Sequence, residues 1–197
     1  MTRHLTSLAS GNIRETILGA IAQKSPVNDA PQEVLLSKYP PLGQQDALNY
    51  DPESLAETLD YPENIAVKKL ACLATVYVML ERGRGNHSAM IDGTFYRLGV
   101  GAINPGYVAN RSSEIDGDLL KGSLDSGNPI VLQGVNNQNG LVHFVLAVGY
   151  KKQKNGSMEV LINDPWRGTR ISLPFESGHL TDRQLGLSIN KMRAITN

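Results

Sequence analysis

Apolar residues at Leu5, Leu8, Ile13, Ile17, Leu18 and Ile21 predict an amphipathic helix across Leu5 to Gln23, interrupted near Gly11. The chain then loses its periodicity. Pro26, Pro31, Pro40, Pro41 and Pro52, set among Asn, Asp and Gln, predict an extended connector from Lys24 to Pro52 with at most a short helix. A capping pattern, Ser54 followed three residues later by Glu57, predicts a further short helix from Pro52 to Leu59. From Ile65 to Leu80 almost every position is apolar, as in a helix buried on all sides, and Gly83, Gly85 and Asn86 mark its end. Weak strand character runs through Phe95, Tyr96 and Val100 to Val108, and Asp116 to Ser126 reads as a short helix closed by Gly127, Asn128 and Pro129.

After Pro129 the pattern becomes that of strands: Ile130 to Val135, Val142 to Tyr150, Met158 to Asn163, Arg170 to Leu173 and Met192 to Ile195. Turn residues at Asn137 to Gly140 and at Asn155 and Gly156 predict hairpins, hence a mostly antiparallel sheet paired in chain order. A helix-rich first half before a strand-rich second half predicts an α+β fold. Two parts are expected: residues 1–52 as a helical appendage and connector, and residues 53–197 as a catalytic domain.

Composition narrows the function classes. Hydrophobic residues are 41% of the 197, enough for a packed core. Lys and Arg number 19, as do Asp and Glu, so no net charge draws the chain to nucleic acid or to an anionic membrane. No apolar run reaches the ~20 residues that span a bilayer, and Arg3, His4, Asn12, Arg14 and Glu15 break the first segment, so Sec-type export is not expected. The expected location is the cytoplasm, or outside the cell by a specialised secretion system.

A single cysteine, Cys72, excludes an intrachain disulfide and a polythiolate metal site, and no cofactor is expected. Taken alone it reads as a small buried hydrophobe. Two other residues change that reading. A strand as apolar as Val142 to Tyr150 is buried, and His143 within it needs a polar partner. If this strand pairs antiparallel with Met158 to Asn163, Asp164 arrives at the same sheet end as His143, where a carboxylate can hold the imidazole and stabilise its charged form. A thiol titrates ordinarily near ~8.5, and an adjacent imidazole is what makes it a nucleophile at neutral pH. Cys72, His143 and Asp164 are thus the candidate catalytic residues.

The order of cysteine on a helix, histidine on a strand and aspartate at the next strand's end resembles the papain-like cysteine peptidase superfamily. It is most similar to the compact bacterial peptidases that process bacteriocin leaders and to papain-like effector proteases. The resemblance rests on Cys72 to Thr75, on Gly127 to Val131, on His143 to Val145 with Gly149 and Tyr150, and on Asn163 to Trp166. It implies a papain-like α+β fold, the nucleophile near a helix start at Leu70 or Ala71, and hydrolysis of an amide in a protein or peptide substrate through a thioester at Cys72. Two departures stand out: Leu73 follows the nucleophile where the family has Gly, and no Gln lies between Gln45 and Cys72 to serve as oxyanion donor. Asn64, the nearest amide side chain upstream, is assigned that role, with the backbone N–H of Cys72 as a further donor.

Trp166 reads equally as a substrate-groove residue or a core anchor, Tyr77 and Met79 as packing, and His4, His87 and His179 as solvated surface residues. The Gly83 to Gly85 loop lacks the lysine of a phosphate-binding loop. Two rival functions remain open: a protein glutamine deamidase or acyltransferase of the same fold, and a non-catalytic binding module that kept the fold. Residues 1–52 read as a propeptide, a delivery signal or a partner-binding arm.

Overall fold

The computed structural model describes residues 32–44, 46, 63–91, 106–109 and 112–195, with backbone alone for 63–70. The expected helices over 5–23 and 52–59, and the strand character near Phe95 to Val100, lie outside these residues. The chain divides into Met1–Ala30 and Pro31–Asn197, and everything described belongs to the second unit.

Ten elements follow in chain order. They are β1 (Gln32–Leu35), α1 (Glu63–Gly83), β2 (Ser113–Glu114), α2 (Gly117–Asp125), β3 (Ile130–Asn136), β4 (Val142–Lys152), β5 (Met158–Asp164), β6 (Thr169–Glu176), β7 (His179–Asp182) and β8 (Leu187–Arg193). The expected hairpins are present, with β4 antiparallel to β3 (Gly134 opposite His143) and to β5 (Leu146 opposite Asn163). The sheet does not remain open, however. β8 returns beside β3, while β5 pairs with both β6 and β4, so the order β4-β3-β8-β7-β6-β5 closes on itself. β4 has eleven residues against seven in β3. Its last turn of ladder is therefore left for β1, which pairs Gln32 with Lys152 and Leu35 with Gly149. β2 adds to β8 in the same manner.

The expected papain-like α+β fold is therefore contradicted. The described residues form a six-stranded antiparallel β barrel with two added strands and two helices, and are mostly β. The reason lies in pairings that local pattern does not encode. β1 sits within the stretch that reads as a proline-rich connector, β7 carries Leu180 as the one apolar residue among its four, and β8 begins at Leu187 instead of near Met192. Joining β8 to β3 converts a meander into a barrel.

Alternation fills the barrel. Ile130, Leu132, Val145, Ala147, Val160, Ile162, Leu180 and Ile189 point inward, and Leu120 and Leu124 of α2 join the same core. Asp116 starts that helix by accepting the N–H groups of Asp118 and Leu119 at 2.9 and 3.1 Å.

The outer faces of β3 and β4, through Val131, Leu146 and Val148, pack against Leu73, Val76, Tyr77, Met79 and Leu80 of α1. Residues 71–80 are all buried. Val76, Tyr77 and Val78 are indifferent helix formers, each costing up to ~0.7 kcal/mol relative to Ala, whereas burying such a side chain is worth ~1.5–3 kcal/mol. Packing therefore holds this helix. It ends where Gly85 adopts φ 106°, with Arg84 N–H bonded to Leu80 O and Asn86 N–H to Glu81 O. Gly83 is required for space: a Cβ there would lie 2.0 Å from the Tyr39 ring.

Candidate functional site

His143 is the second residue of β4, and alternation sets it on the face of Val145 and Ala147, at the end of the barrel. Asp164 is the last residue of β5 and fully buried. Antiparallel pairing of these strands brings the two together, with His143 Nε2 2.8 Å from Asp164 Oδ1. The same oxygen accepts the Trp166 N–H at 2.9 Å, so the turn after β5 fixes the carboxylate. Arg167 stands behind it, with Nε 4.0 Å from Asp164 Oδ2 and Nη1 2.7 Å from Asp182 Oδ2. Asp182 is itself held by the N–H groups of Gln184 and Leu185.

Cys72 completes the group from α1. Its thiol shares the cleft with His143 and acts on the imidazole, and because Nε2 is engaged by Asp164, Nδ1 is the ring nitrogen left to it. Burial works against a charged ring here, but the hydrogen bond it donates to Asp164 and the influence of Cys72 outweigh it, and the His143 pKa is raised to about 9. An imidazolium at this position donates one N–H to the carboxylate and has the other free for a partner in the cleft. Cys72 and His143 open on a cleft of about 540 Å³ that is also lined by Gln44, Asp46, Asn136, Val142, Trp166 and Arg167, with Asp164 buried behind the imidazole. A reacting carbonyl therefore has access to sulfur although Cys72 is only 5% exposed.

Trp166 is 49% exposed, with its ring centroid 5.8 Å from that of His143 at 65°, so it is a wall of the cleft and not a core anchor. His179 is exposed, as is His87, while His4 lies outside the described residues. Tyr77 and Met79 are fully buried. Among the described residues no group of three His, Cys, Asp or Glu side chains is arranged to hold a metal ion, and no helix is long and apolar enough to cross a membrane.

The expected helix start near Leu70 or Ala71 is corrected. α1 begins at Glu63, which puts Cys72 in its interior. Helix-dipole effects fade beyond the first turn, and an interior N–H bonds to the carbonyl four residues before it. Neither the dipole nor the Cys72 N–H thus serves the thiolate, and the neighbouring His143 is the charge that does. Asn64 lies in the first turn of α1, eight residues before Cys72, or about 12 Å along the axis, and its side chain is outside the described residues.

Three amide side chains do share the cleft with Cys72, those of Gln44, Asn136 and Asn139, and Gln44 comes from the segment after β1. That glutamine is 8% exposed, and its main-chain N–H bonds to Pro165 O at 2.8 Å, tying it to the turn that presents Asp164. The segment before it is pinned at Tyr39, whose carbonyl accepts from Asn163 Nδ2 at 2.8 Å and Arg170 Nη2 at 2.9 Å. Gly43 and Gly168 touch, with a Cβ on Gly168 only 3.1 Å from the Gly43 Cα, and Gly168 adopts φ 65°. A single turn, 164–168, thereby holds the aspartate, the tryptophan, the arginine and the incoming glutamine. Gln44 escapes a search along the sequence because that search looks shortly upstream of the cysteine, whereas the fold delivers it from the segment after β1. Compared with protein-family models, with characterised proteins and with solved structures, the chain matches none.

Proposed function

We propose that this protein is a thiol amidohydrolase that hydrolyses an amide bond in a polypeptide substrate through a thioester at Cys72. The observation that carries the reading is the buried Cys72, His143 and Asp164 group, which opens on a cleft large enough for a peptide segment. The Cys72 thiolate adds to the substrate carbonyl carbon and the π electrons move to oxygen. The amide N–H₂ of Gln44, on the wall of the same cleft, is the oxyanion donor in this scheme. Collapse of the adduct breaks the C–N bond as imidazolium His143 gives its proton to the leaving amine. Neutral His143 then takes a proton from water, whose oxygen attacks the thioester, and thiolate and acid are released. Asp164 acts throughout by holding Nε2–H and favouring the charged ring.

Iodoacetamide tests the nucleophile. Cys72 is expected to alkylate at pH 7 at least ~10-fold faster than a simple thiol, which is only a few per cent ionised there. Alkylation no faster than that, or turnover retained by Cys72→Ala, overturns the proposal. Mass spectrometry of the products separates peptide cleavage from conversion of a glutamine side chain to glutamate.

A further inference from the structure

Asn136 ends β3 beside the candidate nucleophile's base. Gly134 is directly opposite His143 in the β3–β4 ladder, and alternation returns Asn136 to the same face, one step closer to the barrel end. Diagonal neighbours of this kind lie ~7–8 Å apart. Asn136 is 4% exposed, and it lines the cleft together with His143, Cys72 and Trp166. Its Oδ1 accepts the Gln138 N–H at 2.8 Å, which settles which end of the amide is oxygen, because a backbone donor must face an acceptor. Among the described residues Nδ2 has no acceptor. Nδ2 is also not sealed from solvent. Nδ2 therefore reaches the cleft as a fixed donor.

The mounting is rigid. Asn136 N–H bonds to Leu141 O at 2.9 Å, Gly140 N–H to Asn136 O at 2.7 Å and Asn137 N–H to Gly186 O at 2.8 Å, so the hairpin is tied to itself and to the β7–β8 turn. A side chain nine-tenths buried with one polar end satisfied and the other left open pays a desolvation cost unless a ligand supplies the missing acceptor. Nothing in the scheme of proton transfer above uses it.

We infer that Asn136 Nδ2 is a substrate-binding group that donates a hydrogen bond to a main-chain carbonyl of an extended polypeptide on the leaving-group side of the scissile bond. The inference rests on the amidohydrolase reading. A separation of ~7 Å from His143 corresponds to about two residues of extended chain at ~3.3 Å each, so the carbonyl recognised belongs to the first or second residue past the cut. Val142 and Trp166, 45% and 49% exposed on the cleft, flank that path with apolar surface. The ligand class is accordingly a peptide continuing beyond the cleaved bond, not a primary amide whose leaving group is ammonia.

The test uses the full chain, a proteome-derived peptide library read by mass spectrometry, and two variants. Asn136→Asp keeps an oxygen for the Gln138 N–H but replaces the donor by a charged acceptor, and Asn136→Ala removes both polar ends without adding charge. Cleavage of the library is expected to fall about tenfold in Asn136→Asp and about fivefold in Asn136→Ala, as for one lost hydrogen bond, while iodoacetamide alkylates Cys72 of Asn136→Ala at the wild-type rate. Library cleavage by Asn136→Asp within twofold of wild type overturns the inference and leaves the nucleophile standing. A wild type that alkylates fast yet leaves every peptide intact overturns a polypeptide as the ligand. Slow alkylation in the wild type removes the amidohydrolase reading, and the inference falls with it.

Discussion

Replacing Asp164 by Asn keeps the shape of the side chain, including an oxygen for the Trp166 N–H, and removes its charge. The bond it makes to His143 Nε2 is 2.8 Å long and sealed from water, with both side chains at most 6% exposed. A hydrogen bond to a charged group in such a setting contributes ~1.5–3 kcal/mol, which at 1.36 kcal/mol per pH unit is roughly one to two pH units of imidazole titration. The His143 midpoint is expected to fall from about 9 to between ~7 and ~8. The direction follows from the sign of the effect: a carboxylate favours the protonated ring, so losing it lets the proton leave at lower pH. The turnover step that protonates the leaving amine needs that proton. The alkaline limb of kcat/KM therefore moves down by the same interval, and at pH 8 activity drops between ~2-fold and ~10-fold. Ring ¹⁵N chemical shifts of His143 followed from pH 5 to 10 in both proteins measure the midpoint directly. A midpoint moved by less than ~0.3 would refute the reasoning, and would assign the raised pKa to Cys72 alone.

Three further outcomes follow from the same geometry. Gln44→Ala is expected to lower kcat by ~10²-fold with little change in the rate of iodoacetamide alkylation, since an oxyanion donor acts only once the carbonyl has become tetrahedral; equal loss in both assays would make Gln44 structural. Arg167→Met leaves Asp182, and more distantly Asp164, without its counter-charge, and is expected to destabilise by about 2 kcal/mol in urea unfolding, less than a fully buried pair would because Arg167 is 23% exposed. Pairing it with Asp182→Asn should recover much of that loss, and strict additivity of the two would count against the ion pair. Gly83→Ala gains up to ~1 kcal/mol of helix propensity, but its Cβ would press into the buried Tyr39 ring, and overpacking of ~1–3 kcal/mol wins, so the thermal midpoint falls; a rise would show that Tyr39 yields freely.

Much of the site is legible without coordinates, and the reason is local. A histidine in an apolar strand, a hairpin turn and an aspartate at the next strand's end put two side chains within reach because antiparallel neighbours joined by a short turn must align start with end. The helix α2 with its Asp116 cap, and the burial of residues 71–80, follow likewise from periodicity and capping. Cys72 could be nominated by elimination, as the chain's single thiol, although its place in the middle of a helix contradicts the expected helix start.

What only the tertiary structure decided are the contacts between segments distant in sequence. Barrel closure rests on β8 pairing with β3 and on the short strand β7, where register is set by the whole sheet and not by the strand's own pattern. Gln44 enters the cleft because Asn163 and Arg170 capture the Tyr39 carbonyl and Pro165 captures the Gln44 N–H, three bonds that no spacing rule anticipates. Asn136 looks like an ordinary turn residue until burial satisfies its oxygen and leaves its nitrogen facing the cleft. Hydrophobic period and turn chemistry are properties of a short stretch of chain, so the sequence alone determined α2, the hairpin strands β3 to β5 and the pairing of His143 with Asp164. The closure of the barrel and the walls around Cys72 depend on which distant surfaces meet, and that is a property of the packed molecule.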